Sequence, residues 1–177
     1  MRIISGKYGG RRIHPPSHMP HTRPTTDVAK EGLFNILQTR VQLEGASTLD
    51  LFGGTGCISY ELASRGASHL TIVEKDGQML EFIKTNIEHL KIDNTQMVRM
   101  DVFQYLNSCT QQFDIIFAGP PYSLNTIDDL PRIIVERKLI SPEGYFILEH
   151  TPRNNYENFA GFSFQRNYGA TVFSFFE

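Results

Sequence analysis

Three acids stand at the ends of apolar runs, at the spacing a nucleoside-like ligand requires. Asp50 lies inside "LDLF", just ahead of "GGTG"; Glu74 closes "LTIVE"; Asp101 closes "TQMVRMD". Phe52, Gly53, Gly54, Thr55 and Gly56 form the loop after the first run. Glycines there let the backbone approach a ligand, and a following helix N-terminus favours polar or anionic groups. Glu74, followed by Lys75, comes about twenty residues after the glycines, where a carboxylate accepts both hydroxyls of a ribose. A nicotinamide dinucleotide and S-adenosylmethionine both carry that ribose. The glycine pattern leans towards the second, because Ser59 follows Gly54-x-Gly56 where a dinucleotide fingerprint has its third glycine. Asp50 leans the same way: its charge repels a pyrophosphate and suits a cationic amino-acid group. Asp101, with Val102 beside it, can accept from an adenine amine.

The stretch "AGPPY" supplies a different chemistry. Pro120 and Pro121 cannot continue a strand ladder, because they lack N–H groups. They can hold carbonyl oxygens rigidly outward beside the ring of Tyr122. An exocyclic amine on a nucleobase is a poor nucleophile, its lone pair being spread into the ring. Acceptors aimed at its hydrogens favour the rehybridisation that attack requires, and an aromatic plate holds the base. The Pro120 carbonyl is one acceptor. A second would come from the residue before the prolines, and here that residue is Gly119.

These residues need elements to hold them. From residue 47 the chain alternates apolar runs of strand length with helical patterns: "STLDLF", "LTIVEK", "TQMVRMD", "FDIIFA" and "GYFILEH" are strands. "ISYELASRG", "GQMLEFIKTNIEHLK", "VFQYLNS" and "IDDLPRIIVERKLI" are the helices between them. Five strands joined by helices predict a parallel sheet covered on both faces, with ligands at the strands' C-terminal ends. The tail "FSFQRNYGATVFSFFE" predicts an antiparallel hairpin, giving seven strands. Ahead of this unit, "TTDVAKEGLFNILQTRV" is a helix capped by Thr25 or Thr26, and "RIISGKYGGRRI" is a small β-hairpin.

The 177 residues, 40% of them hydrophobic, predict one domain over 1–177, with 1–24 as an extension. No apolar run reaches membrane-spanning length, and the start is polar, which points to a cytoplasmic chain. Cys57 and Cys109 have no metal-ligand spacing and read as reduced, buried thiols. His14, His18 and His21 are separated by prolines, so no metal is expected. The net charge of −2 divides unevenly: residues 1–24 carry Arg2, Lys7, Arg11, Arg12 and Arg23 and no acid, which leaves −7 on the rest. A basic arm on an acidic body predicts contact with phosphates.

Taken in order, "RIISGKYGGRRI", "RPTTD", "LDLFGGTG", "IVEKD", "AGPPY" and "RNYGATVF" resemble the RsmD-type bacterial methyltransferases nearly end to end. The resemblance implies a Rossmann-like α/β methyltransferase fold with an antiparallel last strand. It implies S-adenosylmethionine, bound by the glycine loop, Glu74 and Asp101. It implies transfer of a methyl group to the exocyclic N2 amine of a guanine in small-subunit ribosomal RNA, free or in a partly assembled subunit, by a chain that can act as a monomer. The basic arm and "RPTTD", with Thr25 and Thr26, would face RNA. The departure is Gly119, where the family pattern has aspartate or asparagine. Slow or lost transfer is one expectation. Replacement of the missing group by another acid, such as Asp27 or Glu31, is a second. A non-catalytic RNA-binding or assembly protein, a methyltransferase for another amine (DNA adenine or protein glutamine) and a nicotinamide oxidoreductase are the rivals.

Overall fold

A computed structural model describes residues 1–19 and 24–177. After α1 (Asp27–Arg40) the chain alternates: β1 (Ser47–Leu51), α2 (Cys57–Ser64), β2 (His69–Val73), α3 (Gly77–Leu90), β3 (Thr95–Val98), α4 (Val102–Ser108), β4 (Phe113–Ala118), α5 (Asp129–Glu136), β5 (Ile140–His150), β6 (Phe162–Tyr168) and β7 (Thr171–Phe176). The strands form one seven-stranded sheet in the order β3-β2-β1-β4-β5-β7-β6. The first five are parallel, and β7 runs antiparallel between β5 and β6. The strand order reverses between β1 and β4, and an open α/β sheet opens a crevice there at its C-terminal edge.

Strand alternation divides the core into two layers. Leu49, Leu51, Ile116, Ala118, Phe146 and Leu148 pack against α4 and α5 through Leu106, Leu130 and Ile134. Ile115, Phe117, Tyr145 and Ile147 face the other way, onto Leu33, Phe34 and Leu37 of α1 and Ile58 and Leu62 of α2. Asp50 falls on this second face, because Leu49 and Leu51 point to the first.

Several boundaries differ from the sequence expectation; β3 ends at Val98, so Asp101 lies past it as the cap of α4 and not at a strand end. The helical pattern through Ile140 ends at Glu136; Lys138 takes φ 55°, a left-handed turn that stops the helix, and Ile140 already pairs with Phe113 in the sheet. The N-terminal hairpin is reduced to one antiparallel bridge, Arg2 to Arg12, around Gly6 and Gly10 at φ 83°. Backbone hydrogen bonds close it, from Ile3 N to Arg11 O at 2.9 Å, Gly10 N to Ile3 O at 2.8 Å and Ile13 N to Met1 O at 3.0 Å, and side chains dock it on the body. Ile3, Tyr8 and Ile13 pack with Tyr60, Ile72, Ile83 and Ile87. The Ile4 and Ser5 N–H groups donate to the buried Glu61 carboxylate at 2.9 and 3.1 Å. Glu61 also faces Arg65 at 2.9 Å and the buried Lys30 ammonium at 3.7 Å, and Lys30 donates to the Arg2 carbonyl at 2.6 Å. The first thirteen residues are thus docked by the Glu61 carboxylate, by Ser64, whose carbonyl and Oγ accept the Lys7 and Tyr8 N–H groups at 2.8 and 2.9 Å, and by apolar packing.

Candidate active site

At the C-terminal edge of β1, β2, β3 and β4 lies a cavity of about 640 Å³. Its wall contains Asp50, Phe52, Gly53, Gly54, Thr55, Glu74, Lys75, Asp101 and Val102, and also Gly119, Pro120, Pro121 and Tyr122. Both groups of residues marked in the sequence therefore meet in one space. Gly56 alone of the loop set is absent from the wall. It starts α2 at φ 81°, and a Cβ there would lie 2.6 Å from the Tyr60 ring.

The glycine loop is clamped by the acid expected to bind ligand. Glu74 Oε2 accepts the Gly54 N–H and Oε1 accepts the Asp76 N–H, both at 2.9 Å. Each carboxylate oxygen has a second acceptor position, so the clamp leaves capacity for hydroxyl donors. A Cβ on Gly53 would meet Ile72 Cγ2 at 2.6 Å, so the loop sits against β2 as only glycine permits. Asp50 is buried and accepts from Ser59 Oγ at 2.6 Å. Burial pushes its carboxyl up to about 7; the Ser59 hydrogen bond opposes the rise and the Glu74 charge adds to it. Ser59, which the sequence offered only as a missing glycine, is the group that orients this acid. Asp101 caps α4 through Oδ1, which accepts from Phe103 N and Gln104 N at 2.9 and 3.2 Å. Phe103, Met79 and Met100 supply apolar wall beside it. A buried acid suited to a cation, a ribose-facing carboxylate and an apolar wall fit S-adenosylmethionine.

At the other end, Pro121 O accepts from Leu124 N at 2.9 Å, closing a turn after the proline pair. The half-exposed Tyr122 places its hydroxyl 3.4 Å from Glu149 Oε1 and 3.5 Å from Thr171 Oγ1. Glu149 also lines the cavity, and its Oε2 accepts from Thr25 Oγ1 at 2.6 Å. The sequence reading missed Glu149, although it stands at a strand's C-terminal end like Asp50 and Glu74.

Asp27 and Glu31 do not reach this space. Asp27 lies 3.9 Å from both Arg2 and Lys30, Glu31 is exposed, and neither is in the wall. The replacement carboxylate expected from them is corrected on this point: α1 turns both acids away from the cavity. Thr26 accepts from Ala29 N as the cap of α1, whereas Thr25 is buried on Glu149. Arg2, Lys7, Arg11 and Arg12 are exposed on the docked N-terminal segment, with Lys7 and Arg11 over the Tyr8 ring. Arg23 and His21 lie outside the described residues. Cys57 and Cys109 are free and buried. Among the described residues no three potential ligands gather around a metal position, and no helix is long and apolar enough to cross a membrane.

The fold and cavity are those of an S-adenosylmethionine-dependent methyltransferase. The chain belongs to the family described as "Conserved hypothetical protein 95", which matches residues 1–177. Among curated relatives it is similar to the ribosomal RNA small subunit methyltransferase D of Escherichia coli K12, 29% identical over 154 residues, 87% of this chain and 76% of that protein. The protein of the same name from Buchnera aphidicola of Baizongia pistaciae is also 29% identical, over 88% of this chain and 83% of its own. Among solved structures, a hypothetical protein of Thermus thermophilus superposes with a TM-score of 0.86 at 26% identity, covering 100% of this chain and 99% of its own. A T. thermophilus 16S rRNA N2 methyltransferase, RsmC, in complex with AdoMet and guanosine, gives a TM-score of 0.68 at 25% identity over 86% of this chain and 43% of that one.

Proposed function

We propose that the protein methylates the exocyclic N2 amine of a guanine in small-subunit ribosomal RNA. The observation that carries this reading is the joining, in one cavity, of the loop and acids suited to the cofactor with the proline pair and tyrosine suited to a base. The relatives named for small-subunit ribosomal RNA support the substrate. Bound S-adenosylmethionine supplies an electrophilic methyl group on a sulfonium sulfur. The chain does the rest. Glu74 holds the ribose hydroxyls, Asp50 faces the amino-acid end, and the Asp101 and Phe103 wall takes the adenine. Tyr122 stacks on the guanine while the Pro120 carbonyl accepts one N2 hydrogen.

The test is methyl transfer to small-subunit RNA and to assembled particles, with the product digested to nucleosides; N2-methylguanosine is the expected product. Gly119 favours a second reading, a cofactor-binding RNA protein that transfers no methyl group, and the same assay separates the two.

Asp50 predicts a pH dependence. Its folded value of about 7 lies above the ordinary value of 3.8, so ionising it lowers the stability of the ligand-free protein as pH rises through that interval. A cationic ligand group beside it removes the cost. Cofactor affinity should therefore rise about tenfold between pH 6 and 8 and lose this rise in Asp50→Asn, as read by calorimetry.

The arm predicts a salt dependence. RNA affinity should fall steeply with salt, and Arg11→Ala with Arg12→Ala should flatten the logarithmic slope by about one unit or slightly less per lost phosphate contact. Cofactor affinity should stay unchanged. An unchanged slope places the RNA surface elsewhere.

A further inference from the structure

We propose that Glu149 supplies the second acceptor for the guanine amine, in the place that Gly119 leaves without a side chain. The inference rests on the proposed N2 methylation and concerns how this chain performs it.

The sheet brings the two positions together. Ala118 at the end of β4 pairs with Leu148 in β5. One residue further, Gly119 and Glu149 are neighbours at the C-terminal edge, and both fall on the face shared by Phe117 and Ile147. A Cβ on Gly119 would lie 3.7 Å from Glu149 Oε2 and 3.1 Å from Phe117 Cε1. A carboxylate at position 119 would thus carry its oxygens into the neighbourhood that Glu149 already occupies. Glu149 is 6% exposed and lines the same cavity as Pro120 and Tyr122.

Its partners are compatible with the role. Among its contacts, Oε2 accepts from Thr25 and Oε1 from Tyr122, which hold the carboxylate at the cavity wall. The Tyr122 contact, at 3.4 Å, also ties the acceptor to the plate that holds the base. A buried carboxylate offers more than a glycine backbone does: it accepts one N2 hydrogen and offsets the positive charge that grows on nitrogen. In the transfer the N2 lone pair forms the new N–C bond while the C–S bond pair stays with sulfur. The nitrogen then carries one positive charge and releases one proton to Glu149, which passes it to water.

The test compares the parent chain, Glu149→Gln, Gly119→Asp and the double variant, at saturating cofactor and RNA. Glutamine keeps the shape and one acceptor but removes the charge. Glu149→Gln is expected to lower kcat by about 10²–10³, the usual effect of removing one preorganised group. Calorimetric affinity for S-adenosylmethionine should stay within about twofold, since the acid faces the base and not the cofactor loop. Gly119→Asp should then raise the rate of the Glu149→Gln chain far more than that of the parent. Such rescue separates chemistry from support of Thr25, because an aspartate at 119 restores a carboxylate without restoring the Thr25 bond. A binding readout accompanies it: with S-adenosylhomocysteine present, the parent should prefer guanosine over inosine, which lacks the N2 amine, and Glu149→Gln should lose that preference.

Full activity in Glu149→Gln, or loss of activity that aspartate at 119 does not rescue, overturns the role of Glu149 and leaves the function standing. A parent that is inactive while Gly119→Asp is active overturns both this role and the proposed function, and supports the reading without methyl transfer. If neither the parent nor Gly119→Asp methylates guanine N2, the proposed function itself falls, and this inference with it.

Discussion

Replacing Glu74 with alanine is expected to weaken S-adenosylmethionine binding at least tenfold, and up to several hundredfold. Two charge-assisted hydrogen bonds to ribose hydroxyls are worth about 1.5–3 kcal/mol each, and part of that returns when water solvates the ribose. The structure adds a second loss. Glu74 also accepts the Gly54 and Asp76 N–H groups, so alanine unclamps the loop that must approach the ligand. Glu74→Gln should fall between parent and alanine: it can accept from one amide but carries no charge for the hydroxyls. Calorimetry on the three chains measures the order. Equal affinity of parent and alanine forms would remove Glu74 from the cofactor site.

The largest expected effect on stability lies at Glu61. Its carboxylate is buried against Lys30 and Arg65 and receives two backbone N–H groups from the N-terminal segment. Removing one partner of a buried ion pair leaves the other charge inside, at about 3–5 kcal/mol. Glu61→Ala should therefore lose about 3 kcal/mol or more in denaturant unfolding. Trypsin should also cut after Arg11 and Arg12 faster than in the parent, because Glu61 is one of the groups that dock the segment. The corresponding loss at Glu31, exposed on α1, should be within about 0.5 kcal/mol. Similar losses at the two sites would show that the N-terminal segment is held by its apolar contacts and its hydrogen bonds to Ser64 without Glu61.

The two experiments bear on different levels of the molecule. Glu74 stands where strand ends line the cavity proposed for the cofactor, and Glu61 stands where the basic arm meets the body. Both positions are needed for the proposed reaction, since the arm can present Arg2, Lys7, Arg11 and Arg12 to phosphates only while it is docked.

By itself the sequence determined the alternation of strands and helices and the acids at the ends of β1 and β2; Asp101, expected to end β3, stands past Val98 as the cap of α4. These features are local: an apolar run of strand length, a glycine turn and a following helix are written in consecutive residues. The pairing of "AGPPY" with the cofactor loop followed too, because parallel strands place all their C-terminal ends on one edge. The tertiary structure alone decided which groups stand beside those residues. Ser59 reaches Asp50 only because α2 folds back over β1, and Glu149 meets Gly119 only through the register of β4 with β5. Thr25 reaches Glu149 across 124 residues of chain. The N-terminal segment read as a small hairpin because its apolar ends flank two glycines; it closes with one antiparallel bridge, and its docking through Tyr60, Ile72, Ile83 and Glu61 was not legible. Contacts of that kind depend on register and on layer packing, and neither is encoded in the spacing of neighbouring residues.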